Sequence, residues 1–131
     1  MDLAVMEASL YATDLHSMKE FYETILGLEA VEFDPNRHAF FPCGSVMITI
    51  FNPTQTIVPD AGVPTHGARG PGHLAFRVNK YELSDWRAKL VRSDVHIEAE
   101  VDWDNGARSI YFRDPGGNSI EFVTPDLWSL P

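Results

Sequence analysis

Tyr111-Phe112-Arg113-Asp114-Pro115-Gly116-Gly117-Asn118-Ser119-Ile120-Glu121-Phe122 is the stretch whose reading decides the fold. Arg108 to Phe112 reads as a strand, Pro115-Gly116-Gly117-Asn118 carries turn chemistry, and Ser119 to Val123 reads as the returning strand. Side chains alternate across a strand, so Ile120 and Phe122 share one face while Ser119, Glu121 and Val123 share the other. The apolar face calls for a helix to cover it, and Glu121 is left pointing the other way.

Working back from this hairpin, a strand is expected near Val95 to Val101, with Trp103-Asp104-Asn105-Gly106 as the turn that follows it. Before it, Leu83, Trp86 and Leu90 recur at helical spacing, and Asn79 with Glu82 three residues later predicts a capping box at the helix start. His73 to Val78 reads as a strand with His73, Ala75 and Arg77 on its polar face. The order is βαβββ. Residues 53–72 hold four prolines and four glycines and show no sustained apolar period, so they read as a connection. Ahead of them lies a second set in the same order: a strand at Ser9 to Thr13, a helix carrying Met18, Phe21, Tyr22, Ile25 and Leu26 and closed by Gly27, then strands near Ala30 to Phe33, His38 to Phe41 and Val46 to Phe51. Glu7, Ser9, Tyr11 and Thr13 form the polar face of its first strand. The chain is therefore expected to be an α+β protein of two βαβββ modules, residues 1–52 and 73–131, whose eight strands form a curved sheet around a cleft.

Composition narrows the function. The 131 residues are 44% hydrophobic and 22% charged, which suits one globular domain. No apolar run is long enough for a bilayer and the first residues lack a basic leader, so a soluble, cytoplasmic protein is expected. Nineteen acidic residues against ten basic ones give a net charge of −9, which disfavours nucleic acid and anionic membranes as partners. The single cysteine, Cys43, has no intramolecular disulfide partner and reads as a structural thiol.

Three stretches resemble the vicinal-oxygen-chelate superfamily, the glyoxalase, bleomycin-resistance and extradiol-dioxygenase fold: Glu7-Ala8-Ser9-Leu10-Tyr11-Ala12-Thr13-Asp14-Leu15 through Phe21-Tyr22 and Leu26-Gly27-Leu28; Gly72-His73-Leu74-Ala75-Phe76; and the hairpin quoted above. The last is the most specific, because a turn of that kind followed by asparagine and an inward glutamate closes modules of this family. The resemblance implies metal ligands at the start of the first strand, at the start of the fifth and in the last, which here are Glu7, His73 and Glu121. Two carboxylates and an imidazole suit a divalent manganese, iron, nickel or zinc ion and leave positions open for substrate. Glu121 or Glu7 could leave the metal to act as the catalytic base.

The departures are equally informative. The fourth ligand of glyoxalase I falls on Ile48 and its glutathione-holding arginine on Tyr11, although Asn52 matches a polar contact of that enzyme. Extradiol dioxygenases present a histidine at the position of Glu7. Fosfomycin-modifying relatives place basic residues after the last ligand, where Val123-Thr124-Pro125-Asp126 offers none.

The remaining candidates read as structural. His66 in the connection reads as a solvated loop residue, with a lid or acid–base role as the alternative. His16, His38 and His96 carry no motif. Arg69, Arg77 and Arg108 are expected in ordinary ion pairs, Phe40, Phe41, Trp103, Tyr111 and Trp128 mainly in packing, and the tail through Trp128 against the module or a partner subunit. The expected protein is a metal-dependent homodimeric enzyme that takes a small substrate through two adjacent oxygens, with lyase or isomerase chemistry ahead of ring-cleaving oxygenation. The alternative is a non-catalytic, drug-sequestering protein of bleomycin-resistance type.

Overall fold

The computed structural model describes residues 1–60 and 62–130. The elements run β1 (Glu7–Tyr11), α1 (Leu15–Thr24), β2 (Glu32–Asp34), β3 (His38–Cys43), β4 (Val46–Phe51), α2 (Pro53–Thr56), β5 (His73–Arg77), α3 (Leu83–Arg92), β6 (Ile97–Asp102), β7 (Arg108–Arg113) and β8 (Ser119–Val123), with a 3-10 turn at Pro125–Leu127. The strands form two four-stranded mixed sheets, ordered β1-β4-β3-β2 and β5-β8-β7-β6. The chain divides into two compact units, Met1–Gly72 and His73–Pro131. Each is an α+β module in which the first strand runs parallel to the last and the other pairs are antiparallel.

In the first unit, Asp14 caps α1 by accepting from the Ser17 backbone N–H at 3.1 Å and the Ser17 hydroxyl at 2.7 Å, which satisfies one of the helix's orphan donors. Leu15, Met18 and Tyr22 follow at helical spacing and are buried. Tyr22 meets Phe41 of β3 with ring centroids 5.5 Å apart. The Gly27 that was expected to end this helix lies at φ +72°, where a side chain would strain the backbone. In the second unit the aromatic stack Trp86–Phe122–Phe112, with 4.8 Å between successive centroids, ties α3 to β8 and β7.

Several expected boundaries move for local reasons. The capping box does not form: Glu82 is the N-cap of α3 and makes no side-chain cap bond, while Asn79 Oδ1 accepts from Tyr81 N at 2.8 Å in a turn just before it. β6 starts at Ile97 rather than Val95, because the Val95 N–H is used on the Leu90 carbonyl to close the helix after Asp94 at φ 57°. β1 starts at Glu7 because the parallel ladder to β4 begins there, Glu7 opposite Met47. α2 lies inside the stretch expected to be a bare connection. Its start is chemically marked, with Pro53 at the first turn and Asn52 Oδ1 accepting from Thr54 N at 3.0 Å, but four residues are too few to show a period.

Phe122 is 2% exposed and contacts both aromatic neighbours. Phe122→Ala is expected to cost about 3–5 kcal/mol. Urea unfolding should show this as a lower midpoint with the slope preserved.

Candidate metal centre

β8 carries the chemistry of the second unit because of its register. His73 lies opposite Ser119, Ala75 opposite Glu121, and Tyr111 of β7 opposite Glu121 from the other side. Alternation puts His73, Ala75, Ser119, Glu121, Ser109 and Tyr111 on one face of the sheet, while Ile120 and Phe122 face the helix. Glu121 is thus in a central strand, flanked by the small Ala75, and is 4% exposed.

A carboxylate so placed needs donors, because an uncompensated buried charge is costly. Ser109 Oγ donates to Glu121 Oε2 at 2.5 Å, and Trp103 Nε1 donates to Ser109 Oγ at 2.8 Å. An indole nitrogen only donates and a serine hydroxyl has one proton. Ser109 therefore accepts from Trp103 and commits its proton to Glu121. The other carboxylate oxygen, Oε1, lies 3.3 Å from His73 Nε2.

The tautomer of His73 follows from its other nitrogen. Nδ1 is 3.0 Å from the Ser119 carbonyl, an acceptor only, so Nδ1 carries a proton. In the neutral ring Nε2 then presents a lone pair toward Glu121 Oε1. A cation between these two lone pairs would satisfy both. An imidazole whose far nitrogen is tied to a carbonyl, beside a carboxylate with one oxygen already held, fits a borderline divalent ion such as manganese, iron, nickel or zinc.

Tyr111 stands beside the pair, its ring roughly parallel to that of His73 with 6.3 Å between centroids. Desolvation raises its phenol pKa, and the Glu121 charge adds to the rise. The half-buried Cys43 thiol is also pushed up by burial, which disfavours a reactive thiolate.

Of the expected ligands, the structure brings His73 and Glu121 together. Glu7 is exposed at the start of β1 in the first unit. Among the described residues of the chain, no three His, Cys, Asp or Glu side chains group so as to hold a metal ion. By register, the position of the first module that matches Glu121 is Thr49, opposite Ser9, whereas Ile48 is on the buried helix side. Thr49 Oγ1 lies 2.7 Å from Ser9 Oγ. His66 is the exposed loop residue expected, but it is not without partners: its Nδ1 lies 2.7 Å from Tyr11 Oη, and its ring meets Phe51 edge-on at 4.7 Å. Arg108 pairs with Asp102 at 2.8 Å, but Arg69 and Arg77 form no ion pair among the described residues. Asn105 holds the tail by donating to the carbonyls of Asp126 and Leu127. Ser109 and Trp103 were not singled out as site residues. The alternation of β7 marked Ser109 as facing the same way as Tyr111, but its partner Trp103 lies in a turn where period says nothing.

Residues 4–122 match the family model described as the Glyoxalase/Bleomycin resistance protein/Dioxygenase superfamily, and the chain belongs to that superfamily. A crystal structure of lactoylglutathione lyase from Agrobacterium tumefaciens superposes with a TM-score of 0.93 at 38% identity over 97% of both chains. Virulence protein STM3117 of Salmonella typhimurium is 31% identical over 116 residues, 86% of this chain and 77% of that one. Metallothiol transferase FosB of Staphylococcus epidermidis is 27% identical over 109 residues, 82% of this chain and 73% of that one.

Two outcomes test this arrangement. Ser109→Ala strips Glu121 Oε2 of its donor and should destabilise the protein by about 1–3 kcal/mol in chemical denaturation. The raised pKa of Tyr111 should appear in an ultraviolet pH titration as a phenol ionising above the ordinary tyrosine value. A folded pKa above the unfolded one gives stability that is complete below the unfolded value, about 10, and is lost as the pH rises through the folded value. Tyr111→Phe should therefore flatten the fall in stability above that pH.

Proposed function

We propose that the chain is a metal-dependent enzyme that takes a small substrate through two adjacent oxygens and carries out lyase or isomerase chemistry. The observation that carries this reading is the His73–Glu121 pair, 3.3 Å apart, with His73 Nδ1 held on a carbonyl and Glu121 Oε2 held by Ser109. His73 Nε2 and Glu121 Oε1 would supply two ligands to the ion, and Glu7 would supply the third. The reading takes the working form to be a cytoplasmic homodimer, with Glu7 supplied by its own chain or by a second copy. The bound ion would polarise the chelated oxygens as a Lewis acid.

The chain's own residues divide the remaining work. Glu121 is held by Ser109 and stays in place. The Glu7 side chain is exposed and makes no hydrogen bond among the described residues, so it is the carboxylate that would be able to swing and carry a proton at the carbon next to a chelated carbonyl. Ala75 beside Glu121 leaves room over the site, and Tyr111 borders it with its ring against His73 and its phenol toward Glu121. The likeness to a lactoylglutathione lyase supports lyase chemistry. Tyr11 in place of a carboxylate-binding arginine, and Thr49 in place of a fourth ligand, point to a substrate other than a glutathione adduct.

Elemental analysis of protein purified without chelator tests this. Near-stoichiometric metal is expected in the native chain, absent from the His73→Ala/Glu121→Ala variant and depleted in Glu7→Ala. A native chain that stays metal-free after exposure to each of manganese, iron, nickel and zinc would sink the enzyme reading and favour the ligand-sequestering one.

A further inference from the structure

A second site lies within the first unit and does not depend on the metal reading. A cavity of about 240 Å³ opens between the turn before β3 and the chain following α2, lined among others by Arg37, His66, Val58, Val63, Pro64 and Asp60. Both basic residues are fixed before any ligand arrives. The Arg37 backbone N–H donates to the Asp34 carbonyl at 2.9 Å and its carbonyl accepts from Asn52 N at 2.8 Å, which ties its backbone on both sides. Its guanidinium sits 5.7 Å from the centre of the Phe51 ring. From the other side, His66 packs edge-on to the same ring at 4.7 Å, is tied to Tyr11 Oη through Nδ1, and donates its backbone N–H to the Thr56 carbonyl at 3.1 Å.

The charge of Arg37 is not neutralised by a direct carboxylate partner among the described residues. Among the described residues its side-chain hydrogen bond goes to His38 Nδ1 at 3.0 Å. A guanidinium only donates, so His38 Nδ1 accepts and its Nε2–H is free to donate to Glu32 Oε1 at 3.3 Å. Arg37 offers five N–H donors in a planar fork and this bond uses one. His66 Nδ1 is taken up by Tyr11 Oη in either tautomer, which leaves Nε2 as the other ring nitrogen. The cavity is bordered by a guanidinium and this imidazole, with valine and proline side chains around them.

The geometry points to a binding site for a small, singly charged organic carboxylate, gripped by the Arg37 fork and His66 with its apolar body against Val58, Val63 and Pro64. A planar carboxylate matches the fork as a bidentate partner. Asp60 also lines the cavity, and together with the chain's net charge of −9 it repels a dianion such as phosphate more strongly than a single negative charge. The volume falls below the roughly 300–1,000 Å³ of sites for drug-sized ligands, so the occupant is small.

Benzoate is the probe, followed by chemical-shift titration of the native protein. Saturable binding that shifts residues around Arg37 and His66 is expected. Benzamide, which has the same shape without the charge, should bind at least about tenfold more weakly, and Arg37→Met should weaken benzoate by about ten- to a hundredfold. Arg92→Met, at the exposed end of α3, should bind benzoate as the native chain does. The benzamide comparison needs no variant, so it stands even where Arg37→Met fails to fold. The site is overturned by the absence of saturable benzoate binding, by equal binding of benzamide, or by unchanged affinity in a folded Arg37→Met chain. Inorganic phosphate binding as tightly as benzoate would overturn the carboxylate class.

Discussion

The second unit is organised around a carboxylate in the middle of a sheet. Glu121 is 4% exposed, and a charge with so little access to water persists only where the protein replaces that water. One oxygen receives the Ser109 proton and the other faces His73. These partners come from β7 and β5, the two neighbours of β8, so the register of both pairings must be right at once. The Asp114 to Asn118 turn fixes one of them: Asp114 is buried and accepts from Gly116 N at 2.9 Å and Asn118 N at 3.0 Å. A slip of one residue would turn Glu121 into the helix face and Phe122 out of it.

The first unit repeats the strand order without the charge. Where the second module sets Ala75 against Glu121, the first sets Ser9 against Thr49, and these two hydroxyls bond to each other. A neutral pair needs no ion and no imidazole. The open face of that sheet instead gathers Tyr11, Phe51, Phe40 and His38, the last two stacked at 4.4 Å. One topology has thus been fitted with a charged face in one copy and an aromatic one in the other, and His66 is drawn onto the aromatic one from the chain that follows α2. None of the helices among the described residues is long and apolar enough to cross a membrane.

Most of the fold was legible because each module repeats strong local signals. β4 and β8 run as the alternation indicates, and the helices carry their apolar residues at the spacing read from Met18, Tyr22, Leu83 and Leu90. The misreadings fall where a local signal competes with something longer in range. Asn79 and Glu82 have the spacing of a capping box, but Asn79 is used on Tyr81. Ile48 takes the position of a ligand when sequences are aligned, yet its side chain belongs to the helix side because the parallel ladder pairs Glu7 with Met47. His66 lies in a proline- and glycine-rich stretch where period is silent, and only the return of that stretch over β1 and β4 brings it to Tyr11.

The sequence by itself determined the two βαβββ modules, the turn before β8 and the shared face of His73 and Glu121, away from the helix, since periodicity and turn chemistry are local properties of the backbone. Only the tertiary structure decided that Ser109, held by Trp103, fixes one oxygen of Glu121, that the Ser119 carbonyl sets the tautomer of His73, and that Arg37 and His66 meet across Phe51. Hydrogen bonds of that kind depend on distances of a few tenths of an ångström between strands far apart in the chain. Residue spacing carries no record of them.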